Sequence, residues 1–353
     1  MQPLTSLTDF LETSGYRLQS YDMGRRVVPI PRNDFRNFEA NRLPYPLPLH
    51  RQAWFALLFH HRHDSEAAST IWFLHFPLDE QAKLVLVARD ELLHRLLESF
   101  GETTDQDALK AHLETVLQNN PHAFRPKPER MAVFHARVTA ALQQPASQYY
   151  LHACDYFSGH LGWEQWSFLG YQGIADLAAR LEQNGNRQRI MTAIPALPAP
   201  PLEALCHCLE NFTLPPDIAR ALHNRARASL AQEHPDPQIL SACLRGIANT
   251  RSTELKQQLI GAVLSHPIGR RADLLVAISG RAWEALLDDR LRDLFLERLA
   301  DNDQGEDFFN NVLNDLLFIP GLRNNLRAAL RNRQGSSRLG DAIERFFATV
   351  KSS

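Results

Sequence analysis

The sequence predicts an α+β protein that is predominantly α-helical. A small, mostly antiparallel sheet with helices occupies the N-terminus, and stacked helix pairs of the HEAT or tetratricopeptide type follow. Three observations lead there. Apolar residues recur in matching columns between Pro201 and Arg333. Short runs rich in aromatic and β-branched residues crowd the chain before Phe76. Between them, Ile194–Pro201 carries prolines at 195, 198, 200 and 201 and reads as a joint. The expected division is an α+β domain over 1–193, the joint at 194–201 and a helical-repeat domain over 202–353.

The N-terminal elements are justified in order. Leu4–Ser14 reads as a helix capped by Thr5 or Ser6, with Leu7, Phe10 and Leu11 on one face and Gly15 as its stop. Tyr16–Asp22 and Arg25–Ile30, separated by Met23 and Gly24, read as a tight hairpin. Asn33 or Asp34 would cap a short helix through Phe35, Phe38 and Glu39. Leu43–Leu49 alternates proline, so it is extended and packs through Tyr45 and Leu47. Ala53–His60 and Thr70–Phe76 read as two buried strands joined by the polar connection Arg62–Ser69.

Helices follow. One spans Glu80–Phe100, with Leu84, Val87, Leu92 and Leu96 on its face, and others span Asp105–Gln118 and Glu129–Gln143. Tyr149–Gly159 is ambiguous between strand and helix. Gly162–Gln183 reads as one helix rich in aromatics, closed by Asn184-Gly185-Asn186. Gly170 and Gly173 inside it each cost about 1 kcal/mol against alanine, which suggests another helix backbone crossing there.

The repeat is clearest in the columns themselves. In four first helices they are Ala204/Leu240/Leu274/Phe309, Cys208/Leu244/Ile278/Leu313 and Phe212/Ala248/Ala282/Leu317. The leading column steps by 36, 34 and 35 residues, and within a helix the columns sit at i, i+4 and i+8, one helical face. Four second helices carry Leu222/Ala226/Leu230, Leu255/Leu259/Val263, Leu291/Phe295/Leu299 and Leu322/Leu326/Leu330. One pair cannot bury its own apolar face, so neighbours must stack. His234 and His266, each before proline, read as stops between units. After a link at Gln334–Ser337, Asp341–Val350 is a helix able to cap the stack.

Composition narrows the function classes. Hydrophobic residues are 44% and charged residues 22% of 353, the balance of a folded globular chain with a sizeable core. A net charge of −2 gives no bulk attraction to polyanions. The four cysteines, Cys154, Cys206, Cys208 and Cys243, form no disulfide framework and fit a reducing cytoplasm. The N-terminus has no basic region before an apolar core, so no signal peptide is expected, and no apolar run is long enough for a membrane span.

Tyr21-Asp22-Met23-Gly24-Arg25-Arg26, Pro44-Tyr45-Pro46 and the run Ile71–Gln81 make the chain resemble the DUF3549 family of uncharacterised bacterial proteins. The resemblance continues through Leu169–Ala175. It implies a bacterial, intracellular protein and brings no activity, cofactor or catalytic residue.

Candidate chemistry is sparse. His60, His61, His63 and Asp64, with Glu66, could ligate a divalent ion, but their spacing matches no standard zinc pattern and a solvated loop is the simpler reading. Cys206 and Cys208 point apart on a helix, and Cys208 sits in an apolar column, so both read as core. Arg25 and Arg26 read as an anion-binding pair or, preferably, as solvated or salt-bridged arginines flanking a turn. Arg323, Arg327 and Arg331 recur on one helical face in a C-terminal stretch with seven cations and two carboxylates. No phosphate loop, dinucleotide fingerprint, His-Glu-x-x-His, nucleophile elbow or Cys-x-x-Cys occurs. The sequence therefore points to a non-enzymatic interaction or scaffold protein with a protein partner, no cofactor and no catalytic residue. Arg25, Arg26, Arg323, Arg327 and Arg331 are its candidate partner-binding residues. The alternatives are a metal-dependent enzyme using His60–Asp64 and a nucleic-acid binder using the arginine stripe.

Overall fold

The computed structural model describes residues 6–61, 69–100, 120–332 and 336–352. Its chain divides into two units, residues 1–127 with 318–321, and residues 128–317 with 322–353.

In the first unit, local capping sets the elements. Helix α1 (Leu7–Thr13) starts where Ser6 accepts the Asp9 amide, and Gly15 follows it at φ +87°, a conformation that favours glycine. Strands β1 (Tyr16–Asp22), β2 (Val28–Ile30), β3 (Gln52–His61) and β4 (Thr70–Pro77) form an antiparallel sheet in the order β2-β1-β3-β4. Helices α2 (Arg32–Glu39) and α3 (Leu86–Phe100) complete the unit's named elements. Leu7, Phe10 and Leu11 of α1 and Phe35 and Phe38 of α2 share one core with Phe55, Leu57 and Phe59 of β3 and Trp72, Leu74 and Phe76 of β4. The i, i+2 spacing of the strand residues puts them on one sheet face.

Four sequence expectations are corrected here. The β1–β2 hairpin is not tight: Asp22 pairs with Val28, so residues 23–27 form a five-residue connection. Arg25 and Arg26 within it are buried, not solvated. The reason is Asp22, whose Oδ2 accepts the Arg26 amide at 2.9 Å while the Arg25 Nε donates to the Pro48 carbonyl at 2.6 Å. Second, α2 begins after Pro31 with no side-chain cap from Asn33 or Asp34. Third, α3 starts at Leu86 instead of Glu80, because the Asp79 carboxylate accepts the Gln81 and Lys83 amides in a local turn that competes with helix. Fourth, Val87 is 75% exposed and leaves the apolar face, while Leu92 and Leu96 stay buried on it. The helix expected over Asp105–Gln118 lies outside the described residues.

Buried polar groups join these elements. The Tyr45 hydroxyl, in the proline-punctuated segment, donates to Asp22 Oδ1 at 2.6 Å. Glu39 at the end of α2 accepts from the Leu7 amide at 2.9 Å and from the Thr8 amide and hydroxyl. A carboxylate thus caps the positive end of α1. Burial nevertheless dominates and raises the Glu39 carboxyl to about 7.

The second unit is a two-layer stack. One layer holds α4 (Pro128–Ala141), α6 (Tyr171–Ala179), α8 (Ala199–Leu209), α10 (Pro237–Gly246), α12 (Ala272–Arg281) and α14 (Glu306–Leu317), each packed on the next. The other holds α5 (Tyr150–Phe157), α7 (Asn186–Ala193), α9 (Pro216–Leu230), α11 (Thr253–Ser265) and α13 (Asp289–Ala300), again in sequence. Arg292 of α13 reaches Asn325 of α15 (Pro320–Asn332), and α16 (Ser337–Ser352) packs on α13 and α14. All the predicted column residues are buried except Ala204, Leu230, Leu255 and Leu317, which are half-buried.

The stack therefore begins at Pro128, two helix pairs before the columns do. The proline-rich stretch 194–201 lies inside this unit, where Pro200 and Pro201 occupy the first turn of α8 and need no amide hydrogen. Tyr149–Gly159 resolves as helix. The single helix expected over Gly162–Gln183 is a 3-10 helix at Trp163–Phe168 and then α6, separated by Gly170 in an extended conformation. At Gly173 a backbone does cross: a β-carbon there would land on the Tyr149 carbonyl.

Two predictions follow from this packing. Gly173→Ala removes a poor helix former yet is expected to lose about 1–3 kcal/mol by overpacking, whereas Gly280→Ala in α12, where an added β-carbon meets nothing within 4 Å, gains up to about 1 kcal/mol; urea unfolding measures both. Glu39 gives a pH dependence. Its folded pKa lies above its unfolded one, so the folded state holds the extra proton between about 4.5 and 7 and stability falls as pH rises through that window. The stability difference between the parent and Glu39→Gln should shift against the parent by about 3 kcal/mol from acid to neutral pH, as read by urea titrations across the range.

Candidate functional site

A buried carboxylate of the repeat unit stands at the C-terminal end of α8. Glu210 caps that helix and is 3% exposed. A carboxylate at a helix C-terminus meets the negative end of the helix dipole and requires cations nearby. They come from the same layer. Arg245 of α10 donates Nε and Nη2 to the two Glu210 oxygens at 2.7 and 2.9 Å, a bidentate fork. Arg281 of α12 donates Nε to Oε1 at 2.8 Å. Glu210, Arg245 and Arg281 are 35 and 36 residues apart, one from each of three successive repeats.

Further charge surrounds this triad. Arg137 of α4 donates to the Asn211 carbonyl and lies over the Phe212 ring at 4.3 Å. Arg130, also on α4, adds to the positive field at Arg281 and at His207. Burial pushes the Glu210 carboxyl up, but Arg281 and Arg245 outweigh it and hold the group below its ordinary value. Burial, with Arg245 next, lowers His207 to about 4, so this imidazole is neutral near pH 7. Burial also lowers Arg281 to about 10, against the pull of Glu210, and it stays protonated at neutral pH. The cluster ties α8, α10 and α12 together through one buried carboxylate and two half-buried guanidiniums.

The other layer carries a groove of about 620 Å³ across α9, α11 and α13. Gly261, Ala262 and Ser265 of α11 keep it shallow in side-chain bulk, and His223, Arg227 and Arg290 flank it.

The sequence candidates are distributed differently. His60 and His61 end β3 as neighbours, so their side chains leave opposite faces of the strand. The His61 ring meets the Tyr16 ring edge-on at 5.5 Å. His63, Asp64 and Glu66 lie outside the described residues. Among the described residues no three His, Cys, Asp or Glu side chains gather to hold a metal. Arg25 and Arg26 sit in the buried loop of the first unit. On α15, Arg323 donates to the Leu317 carbonyl at 2.9 Å, while Arg327 and Arg331 are exposed. Two other cations of that stretch are engaged, Arg338 with Asp301 and Arg345 with Glu306. All four cysteines are buried free thiols, and burial raises Cys208 to about 12. His266 starts a 3-10 turn, its Nδ1 accepting the Ile268 amide, and Asp236 caps α10. No helix among the described residues is long and apolar enough to cross a membrane.

A family model described as "Protein of unknown function (DUF3549)" matches residues 2–347, and the chain belongs to that family. No curated protein and no solved structure matches it.

The triad itself makes a testable claim. Glu210→Gln leaves two half-buried guanidiniums facing one another and is expected to cost roughly 3 kcal/mol in urea unfolding. Adding Arg281→Leu should restore part of that loss, since it removes one of the stranded charges.

Proposed function

We propose that this DUF3549 member is a non-enzymatic interaction module that docks a protein partner on its helical-repeat surface. The observation that carries the reading is the groove across α9, α11 and α13, formed by three adjacent helices of a stacked array. Such arrays offer extended binding surfaces because each repeat contacts only its neighbours and the faces stay open. A second consideration supports it. Burial raises the thiols of Cys206, Cys208 and Cys243, which are fully buried and offer no exposed nucleophile.

The nucleic-acid alternative is weakened by the engagement of Arg323, Arg338 and Arg345 within the chain. Buried free thiols and the family's resemblance favour a reducing bacterial cytoplasm as the setting.

Capture experiments with the tagged full chain test the proposal. A stoichiometric protein partner is expected with the parent, and its loss with Gly261→Trp, which fills the groove while leaving the melting curve in place. The absence of any protein partner would sink the module reading. A partner retained by the folded Gly261→Trp chain would remove the groove as its seat.

A further inference from the structure

We infer that the groove across α9, α11 and α13 takes an extended acidic segment of the protein partner, with a carboxylate at each end and apolar or small residues between. This deepens the interaction-module reading and rests on it.

Arg227 on the α9 wall and Arg290 at the start of α13 both line the groove and are exposed. Among the described residues, neither guanidinium has a hydrogen bond or an ion pair. The lining carboxylate, Asp288, is already engaged, accepting the Leu291 amide at 2.9 Å as the cap of α13. The floor between the walls is uncharged: Gln258, Gly261, Ala262 and Ser265 share one face of α11 at i, i+3, i+4 and i+7. Leu294 adds half-buried apolar surface beside it. A partner complementary to this surface brings negative charge to the two walls and apolar or small groups to the floor.

The repeat fixes the spacing of those charges. Leu222, Leu255 and Leu291 stand level in their column, so Arg290 is level with Ala221, and Arg227 lies six residues further along the helix direction. That is about 9 Å along the axes, and α9 and α13 lie two helix spacings apart, about 18 Å, so the two positions occupy opposite corners of the groove about 20 Å from one another. The stretch of α11 that lines the groove, from Gln257 to Ser265, runs about 12 Å. The groove is therefore longer across the helices than along them, and a chain lying in it crosses the array. At about 3.3 Å per residue an extended segment covers the diagonal in about six steps.

The same spacing chooses among anions. A nucleic-acid strand carries a phosphate about every 3.4 Å of helix axis, which would set several against Leu294, Ala262 and the Asp288 carboxylate. Two carboxylates separated by an uncharged stretch meet the two guanidiniums and leave the floor to apolar contact.

The test uses the full chain and the fluorescein-labelled peptide Glu-Ala-Val-Ala-Val-Ala-Glu, read by anisotropy at low salt and neutral pH. Saturable binding that weakens as salt rises is expected, and replacing both glutamates by glutamine should reduce it about tenfold or more. Arg227→Gln and Arg290→Gln, each checked for an unchanged melting curve, should each weaken it about fivefold. An isomer with its two glutamates adjacent reaches one corner only and should lose about as much. No saturable binding, equal binding by the glutamine peptide, or parent-like binding by both folded variants overturns the site. Equal binding by the adjacent isomer overturns the diagonal spacing. Displacement by oligo-dT at lower concentration than the unlabelled peptide overturns the protein segment in favour of nucleic acid. Absence of any captured protein partner sinks the module itself, whereas a partner lost with Gly261→Trp but kept by the folded chain carrying both Arg227→Gln and Arg290→Gln sinks the acidic segment alone.

Discussion

A helix pair has apolar surface on more sides than it can cover, and the repeat unit is built on that shortage. Each pair buries its columns only against the next, so Leu240, Leu244, Leu274 and Ile278 are inaccessible through stacking and not through closure of any single pair. The ends need a different solution. At the C-terminal end α16 lies on α13 and α14 with Leu339, Ile343 and Phe346 buried, which covers the last apolar face. Small residues set how closely the layers approach. A β-carbon at Gly246 would collide with Cys206 Sγ and Leu222, so α10 can sit against α8 and α9 only because that position is bare.

Polar groups are buried where apolar packing alone would leave the joints loose. Asp176 and Arg180 of the α6 region form an ion pair at 2.8 Å, and Asp176 also takes the Ser147 amide, while Arg180 reaches Thr139 and the Gln144 carbonyl. Asn186 at the start of α7 donates to Tyr150 and to the Arg180 carbonyl. Together they fix α4, α5, α6 and α7 at the end of the stack whose repeat pattern is least regular. In the first unit Asp22 plays the same part, bringing Tyr45 and the Arg26 amide onto one carboxylate. The stretches Tyr21–Arg26 and Pro44–Pro46, which carry the family resemblance, are therefore two halves of one buried contact.

Legibility followed periodicity. Strands β3 and β4 and the helices from α8 onward repeat with periods of two and about thirty-five, and both were readable because an apolar face leaves a regular trace. The first two pairs of the stack start at 128 and 171, with α8 at 199, so their spacings of 43 and 28 hide the same architecture. Gly170 divides a stretch whose aromatic spacing alone reads as one helix. The burial of Arg25 and Arg26 was invisible for another reason: their partners, such as the Pro48 carbonyl, arrive only through the fold. The Glu210 cluster did leave a trace, one charged residue per repeat at intervals of 35 and 36, but it carries no motif and lies between apolar columns that dominate the pattern.

That placement separates the cluster from the other buried polar groups. Asp176 and Asn186 are satisfied by groups from neighbouring elements, and each contact has one evident product, a fixed joint. Glu210 instead draws arginines from the next two repeats, although Cys208, Leu244 and Ile278 already pack that layer. Replacing a buried ion pair by well-packed apolar residues is often neutral or stabilising. A stack with an intact apolar interior therefore gains little net stability from the triad, whose evident product is to tie three successive repeats through one carboxylate.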